Sequence, residues 1–491
     1  MRFYNFLKHL NSQRKKKVHR VLSLILSFSL TLSFAQDDRL RLKQADVLEN
    51  ITVDGKSIQY LRGNVIFHKG DKVMNCDWAR FDQKTEQGFL FGNVSMVEDV
   101  QNLTCDSLFV DSPKDIMIAY SNTHVWDTTY SLVTDTLFYF SELDSGSANG
   151  NTTLIQDKQT IKGDRIEYFE IPESDGVSYA ARGNVSITEE GRLATCGEAI
   201  YDRKNGKTTL RFKPKILDNN QTIAGSEIFL EYDEDVLKSL FIPSNAHATH
   251  PSTGLRQWME IVDEDTLTFE DSLSFTDDMT GSILRGFFTD GLMDSMRLEG
   301  MATTLYHIFE DSVYQGKNEA SGDTIILNFA ENDLQKIFVT GGSRGIYTPD
   351  STGADVDGPI HYESEDIDYD VVNEFTDLHG EAVIDYTNIN LTAGFINVAW
   401  QKNLLKALTE SPKDSSYGWI RPSMVENGED PMVGDTMIYN LETRHGKVIQ
   451  GTTKAEDGYY HGQEIRNQNM DIFYIDDAAY TTCDLDNPHF H

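Results

Sequence analysis

Apolar residues in this chain keep to one parity over short stretches. Leu61, Val65 and Phe67 do so around Gly63-Asn64, Leu90, Val94 and Met96 around Gly92-Asn93, and Ala181, Val185 and Ile187 around Gly183-Asn184. Their neighbours are mostly polar. A period of two predicts a β-strand with one buried face. A second class of segment breaks its period once. Met74 and Cys76 share a parity, but Ala79 and Phe81 lie on the other; Leu103 and Cys105 stand in the same relation to Leu108 and Val110, and Ile223 and Gly225 to Ile228 and Leu230. A one-residue slip in each copy predicts a bulge or corner at the small residue. Val, Ile, Thr, Tyr and Phe dominate, and no long stretch has apolar residues at helical spacing. The one helical expectation is a short stretch near residues 399–409.

The slipping segments repeat. Cys76-Asp77-Trp78-Ala79-Arg80-Phe81 returns as Cys105-Asp106-Ser107-Leu108-Phe109-Val110 and as Thr134-Asp135-Thr136-Leu137-Phe138-Tyr139. Further copies begin at Gly163, Cys196 and Gly225, so the steps are 29, 29, 29, 33 and 29 residues. The second motif, at Gly63-Asn64, Gly92-Asn93, Ser121-Asn122, Gly150-Asn151 and Gly183-Asn184, steps by 29, 29, 29 and 33. Both series carry the same four-residue insertion, which falls where Pro172-Glu173-Ser174-Asp175-Gly176 supplies turn chemistry. Two motifs with one period and one shared insertion predict a stacked repeat architecture. Looser copies are read at Phe269-Glu270-Asp271-Ser272-Leu273, Gly322-Asp323, Ser364-Glu365-Asp366 and Gly434-Asp435, with breaks at 245–255 and 410–432.

The predicted fold is all-β: an elongated, repeat-built jellyroll or solenoid-like stack of two facing antiparallel sheets. Its candidate inward residues are Leu61, Val65, Phe67, Leu90, Val94, Met96, Leu108, Val110, Leu137, Tyr139, Ile166, Tyr168, Val185, Ile187, Ile228 and Leu230. They form a long apolar strip. If the two walls close, the strip is only a core; if they splay, it is a groove for something long and greasy. The unpaired strands at the ends of such a stack can join another β-protein edge to edge.

Composition sharpens this. The 491 residues carry 78 Asp+Glu against 43 Lys+Arg, a net charge of −35, which excludes a nucleic-acid partner. With 39% hydrophobic residues a packed core is affordable, and four Cys are too few for a disulfide scaffold. Residues 1–35 hold seven of the positive charges and no acid, then an apolar run over 21–35 ending in Ser33-Phe34-Ala35. That order reads as a secretory signal cleaved after Ala35. Its removal takes the net charge from −35 to −42.

Gly-Asn-Val followed by small-Asp-x-apolar-x-aromatic-Asp, clearest over 63–82 and 183–202, resembles the OstA-like periplasmic repeat shared by lipopolysaccharide-transport proteins of Gram-negative bacteria. Lys447-Val448-Ile449-Gln450-Gly451, Gly458-Tyr459-Tyr460-His461-Gly462 and Tyr480-Thr481-Thr482-Cys483-Asp484 through Pro488-His489-Phe490 resemble the segment that joins this domain to an outer-membrane barrel in the LptD-type assembly proteins. The resemblance implies a non-catalytic protein that guides lipopolysaccharide acyl chains along an apolar groove. It implies lipopolysaccharide or a related glycolipid, other OstA-like jellyrolls and outer-membrane assembly proteins as partners, no cofactor, and a place in the periplasm or outer membrane. The expected domains are a signal over 1–35, the OstA-like repeats over 36–245, further repeats over 246–410 and the junction over 411–491. The chain stops at His491 inside that junction, so a barrel is expected beyond it, or else a free-standing periplasmic protein retains the junction. Cys483 matches the family's junction cysteine, whose partner lies in the barrel.

Other chemistries are weaker. Cys76 and Cys105 hold one register in successive repeats and are disulfide candidates, or simply small buried residues. Cys483, Asp484, Asp486, His489 and His491 follow no strong metal-ligand spacing, so no metal is expected. Asp135 with His124 or Ser131 lacks a nucleophile elbow. Asp77, Asp106, Asp135 and Asp164 are read as turn acceptors ahead of calcium ligands. A β-solenoid scaffold or adhesion protein without lipid transport stays as the alternative function.

Overall fold

The computed structural model describes residues 39–483 apart from 54–55, 141–144, 157, 171–176, 190, 203, 219, 234–235, 263–264, 291, 311, 332, 351–357, 411–418, 429, 456–457 and 470–471. The signal, the 172–176 insertion and 484–491 therefore lie outside the described residues. The described chain is all-β, with 34 strands and only short 3-10 turns. No helix among the described residues is long and apolar enough to cross a membrane. The chain divides into two compact units, one comprising the described residues up to 218 together with Ala224–Phe241, the other Asn220–Ile223 with the described residues from Ile242 onward.

The first unit is an antiparallel meander: β1 (Arg41–Gln44), β2 (Val47–Val53), β3 (Lys56–Lys69), β4 (Lys72–Asp82), β5 (Gln87–Glu98), β6 (Gln101–Asp111), β7 (Ile116–Trp126), β8 (Tyr130–Phe140), β9 (Ser145–Gln156), β10 (Gln159–Glu170), β11 (Val177–Glu189) and β12 (Arg192–Asp202). Shorter strands follow. From β3 onward each strand pairs with the next, and the register shifts once near the middle of each pairing. The shift bends the strands into two halves. One half of β3, Val65–Lys69, pairs with Lys72–Cys76 of β4, and the other, Ile58–Arg62, with Trp78–Asp82. β1 and β2 lie against these two halves of β3 separately. Each long strand thus serves two leaves of sheet, joined along a line of corners.

The two sequence motifs meet at those corners. Gly63-Asn64 bulges opposite Asp77, Gly92-Asn93 opposite Asp106, and Ser121-Asn122 opposite Asp135, two residues against one. Both bulge residues are left-handed: φ is 74° at Gly92 and 49° at Asn93. The Asn amide then donates to the Asp of the preceding strand: Asn93 Nδ2 to Asp77 at 2.8 Å, Asn122 to Asp106 at 2.8 Å, Asn151 to Asp135 at 3.1 Å and Asn184 to Asp164 at 3.0 Å. Asn tolerates the left-handed region and Gly requires no Cβ clearance there. A Cβ on Gly92 would stand 2.6 Å from Asp77 Oδ2. The slip read at the small residue is therefore half of the device; the extra residue sits on the Gly-Asn strand. Cys76 and Ala79 both face inward while Asp77 and Trp78 face out.

Two corners escaped the sequence reading. Asp46 accepts from Asn64 at 2.8 Å, and its small-Asp-x-apolar signature is Ala45-Asp46-Val47-Leu48. Phe212 and Lys213, at φ 63° and 59°, form the sixth corner without Gly or Asn. Gly197 takes the Asp position there and donates its N–H to the Phe212 carbonyl at 3.0 Å.

The second unit varies the theme. Asp323 and Glu365 sit against the left-handed Gly341 and Gly380, so those two looser copies are genuine corners. The copy read at Phe269–Leu273 is not: the strand Asp265–Gly281 pairs with Ala246–Val262 without a register break. The corner comes at Ser282, which meets the left-handed Gly300. The break expected at 245–255 is instead part of that Ala246–Val262 strand, with Pro251 opposite Thr276; proline's fixed φ suits extended backbone and removes one donor. The helix expected near 399–409 is a 3-10 turn, Trp400–Lys402, followed by the strand Leu404–Leu408. Leu405 and Ala407 are buried alternately, which is a strand period.

Gly92→Ala is expected to destabilise the first unit by about 2 kcal/mol, because it adds left-handed strain and crowds Asp77. Ser121→Gly, which relieves a non-glycine at φ 60°, is expected to stabilise it by ~0.5 kcal/mol. Equilibrium denaturation of the two variants checks both signs.

Candidate functional site

The candidate site is the inner face of the first unit. The two leaves present their inward residues to each other. The rings of Phe67 and Phe81, one from each leaf, meet edge to face with centroids 5.4 Å apart. Of the predicted inward residues, all but Ile187 and Leu230 are buried. Those two are half-buried; Ile187 faces Ile161 and the small Ala194 on its neighbouring strands. The strip is therefore a packed core along most of its length. A cavity of about 30 Å³ lies between Met96, Glu98 and Leu103 of one leaf and Met117, Leu137 and Tyr139 of the other. That is room for one or two waters.

Opposite the corners, the free rims of the two leaves meet. Leu40, preceding β1 on one leaf, lies against Gly88 on the other. Lys69, at the end of β3 on the first leaf, bonds to Asp115 in the β6–β7 turn of the second. Arg39 reaches Glu86 across the same gap at 3.5 Å. Within the first leaf, Lys72 stands 3.6 Å from Glu98 beside the cavity. Burial pushes the Glu98 carboxyl up from the usual carboxylate range, and Lys72 opposes the rise.

Residues 37–172 match the family model described as OstA-like protein, and residues 139–236 match the one described as LptA/(LptD N-terminal domain) LPS transport protein. Over those residues the chain is OstA-like. The crystal structure of LptH, the LptA-homologous periplasmic component of the lipopolysaccharide transport device from Pseudomonas aeruginosa, matches at 12% identity over 28% of this chain and 79% of that one, with a TM-score of 0.15. No curated protein matches.

Within the OstA-like region the disulfide expectation fails. One repeat is two strands, so Cys76 and Cys105 stand on β4 and β6 with β5 between them. At about 4.8 Å per strand they are roughly 10 Å apart, beyond disulfide reach. Both are free and buried, as is Cys196, and Cys483 is also free. Burial pushes the Cys76 and Cys196 thiols up to about 11 and that of Cys105 to about 12.

The other sequence candidates separate. His124 and Ser131 are 2.9 Å apart, but the Asp135 carboxylate is engaged by Asn151 instead of completing a triad. Asp77, Asp106, Asp135 and Asp164 each accept from an Asn and stand two strands from one another, so no two converge on one cation. Among the described residues no group of three His, Cys, Asp or Glu could hold a metal; Asp484, Asp486, His489 and His491 lie outside them. An aromatic stack on the outer face was not foreseen: Trp78 on Phe91 at 4.0 Å and Phe89 on Phe109 at 4.6 Å. Its signal was the parity opposite to the inward residues.

At pH 8 a thiol reagent is expected to label Cys483 first, and the buried Cys76, Cys105 and Cys196 far more slowly. The three buried thiols are held neutral above their ordinary value of 9.0. The stability they supply is full below pH 9 and is lost as pH rises through about 11. A denaturation midpoint that falls over that range, and falls less steeply there once the three are changed to Ala, checks the sign.

Proposed function

We propose that this OstA-like chain is a non-catalytic lipopolysaccharide-transport protein, exported to the periplasm, whose first unit guides lipid acyl chains along its inner apolar strip toward the outer membrane. The observation that carries this reading is the strip itself. It runs without a polar interruption at Leu61, Val65 and Phe67 of β3, Leu90 and Val94 of β5 and Leu108 and Val110 of β6, in the residues that match the family models. Acyl chains need a continuous apolar surface and no bond-making groups. The corner acids Asp77, Asp106, Asp135 and Asp164 face outward, so the acyl chains and not the anionic head group are what the strip is suited to hold.

Partner contact is read from the first edge. Among the described residues β1 and β2 pair only with β3, and Val47 and Leu48 are exposed on β2. An unpaired strand with exposed apolar side chains is suited to edge-to-edge addition of another OstA-like jellyroll. The junction resemblance over 434–491 supports an LptD-like role next to an outer-membrane barrel.

The packed interior favours one competing reading, a scaffold with a dry core. Photocrosslinking side chains at Phe67, Val94 and Leu108 separate the two. Lipopolysaccharide adducts at these positions, with none at the outward Ser107, are expected for transport. Equal reaction inside and outside, or none inside, removes it in favour of the scaffold.

A further inference from the structure

If the interior is to hold an acyl chain, its leaves must part, because it is packed along most of its length and the cavity between Met96 and Tyr139 is far smaller than an acyl chain. They cannot part at the corners. There every long strand runs through from one leaf to the other, and the Asn-Asp bonds stitch neighbouring strands together. The rims are different. What crosses between them in the β1–β7 stretch is side chain: Leu40 on Gly88, Arg39 to Glu86, and Lys69 to Asp115. The Lys69 side chain is 7% exposed, so this ammonium is held out of water largely by a carboxylate that is itself 33% exposed. Such a pair is costly to leave half-made and easy to exchange for another anion. The cavity lies at the same rims, beside Lys72 and Glu98, where the packing is already loose.

We propose that this rim is a side door. The first unit opens along the line of Lys69–Asp115 and Arg39–Glu86, and an amphiphile with an anionic head enters acyl chain first, its head taking the place of Asp115 on Lys69. This rests on the lipid-guiding reading above and adds to it a lateral route and a preference in the head group. Arg39 and Lys69 stand on one rim and the carboxylates they bond across the gap, Glu86 and Asp115, on the other, while Lys72 on the first rim pairs with Glu98 of its own leaf. Parting the rims therefore breaks the Lys69–Asp115 and Arg39–Glu86 pairs and opens the buried Lys69 ammonium to an anionic group, in a chain whose net charge is −35. An anionic head can be accepted there without a bridging metal.

The native cysteines report the opening with no lipid present. Cys76 and Cys105 lie on β4 and β6, inside the proposed door; Cys196 lies on β12 of the same unit, away from it. Asp115→Asn keeps a residue tolerant of the left-handed φ of 50° at that turn while releasing the clasp. It is expected to speed thiol labelling of Cys76 and Cys105 about tenfold and to leave Cys196 unchanged. An equal rise at all three thiols is general loosening and overturns the door, and so does no rise. The full chain is then titrated with dodecyl phosphate and dodecyl maltoside below micelle formation. The phosphate is expected to bind about tenfold more tightly, and Lys69→Met with Lys72→Met to abolish the difference. Equal affinities in the unaltered protein overturn the head-group preference. Interior lipopolysaccharide adducts with unchanged labelling would keep the transport reading and remove the door; faster labelling without adducts would keep the door and remove transport.

Discussion

The first unit depends on one hydrogen bond made again and again: an Asn amide, held in a left-handed backbone, donating to the Asp of the strand before it. The left-handed pair inserts one residue opposite Asp, and that insertion is what turns the strand. It also keeps the inward residues aligned. The Asp strand advances three residues from one inward position to the next across the corner, Cys76 to Ala79, while the Gly-Asn strand advances four, Leu90 to Val94. Without the difference, one leaf or the other would turn its apolar face to water. Each bond is exposed and weak on its own. Its effect is geometric, since it fixes where the two leaves divide, and with that where the core and the rims lie.

Much of this was legible because the chemistry at the corner is narrow. Few residues adopt φ near 50–75° without strain, so Gly-Asn recurs at a fixed step and the period can be read directly. The same narrowness explains the misses. At Phe212-Lys213 a steric partner, Gly197, replaces the Asn-Asp bond, so the corner keeps its shape and loses its letters. At Ser282 and Gly300 a hydroxyl stands in for the carboxylate, and the true corner was passed over for a carboxylate at Asp271 inside an unbroken strand. The Cys76–Cys105 pairing failed for a different reason. A sequence period says how often a motif returns, but not how many strands lie in one return. The inward strip itself was legible from parity alone; that its walls close was not, because closure depends on contacts such as Phe67 on Phe81 between leaves that no local pattern links.

The distribution of polar groups follows from the same geometry. Corners place Asp77, Asp106, Asp135 and Asp164 outward at a regular pitch, which accounts for part of the acid excess. Outer faces carry ladders such as Arg182 between Glu167 and Glu198, and Arg211 between Glu198 and Glu227. These are half-exposed pairs of small individual worth. In the β1–β7 stretch the rims combine charge with burial at Lys69, and the contacts described across them there are between side chains.

The Asn-Asp bond joins residues 16 to 20 positions apart, with Asn93 to Asp77 and Asn184 to Asp164 marking the two ends of that range. The Lys69–Asp115 bond spans 46. A chain that emerges end first during synthesis can set each corner as soon as the next strand has emerged, because no corner partner is far away along the sequence. Local contacts of this kind favour fast, stepwise ordering from the start of the chain. Closure across the rims has to wait until two more hairpins are in place. The growing end of the unit would thus pass through a stage in which its corners are formed and its interior is still open at the side.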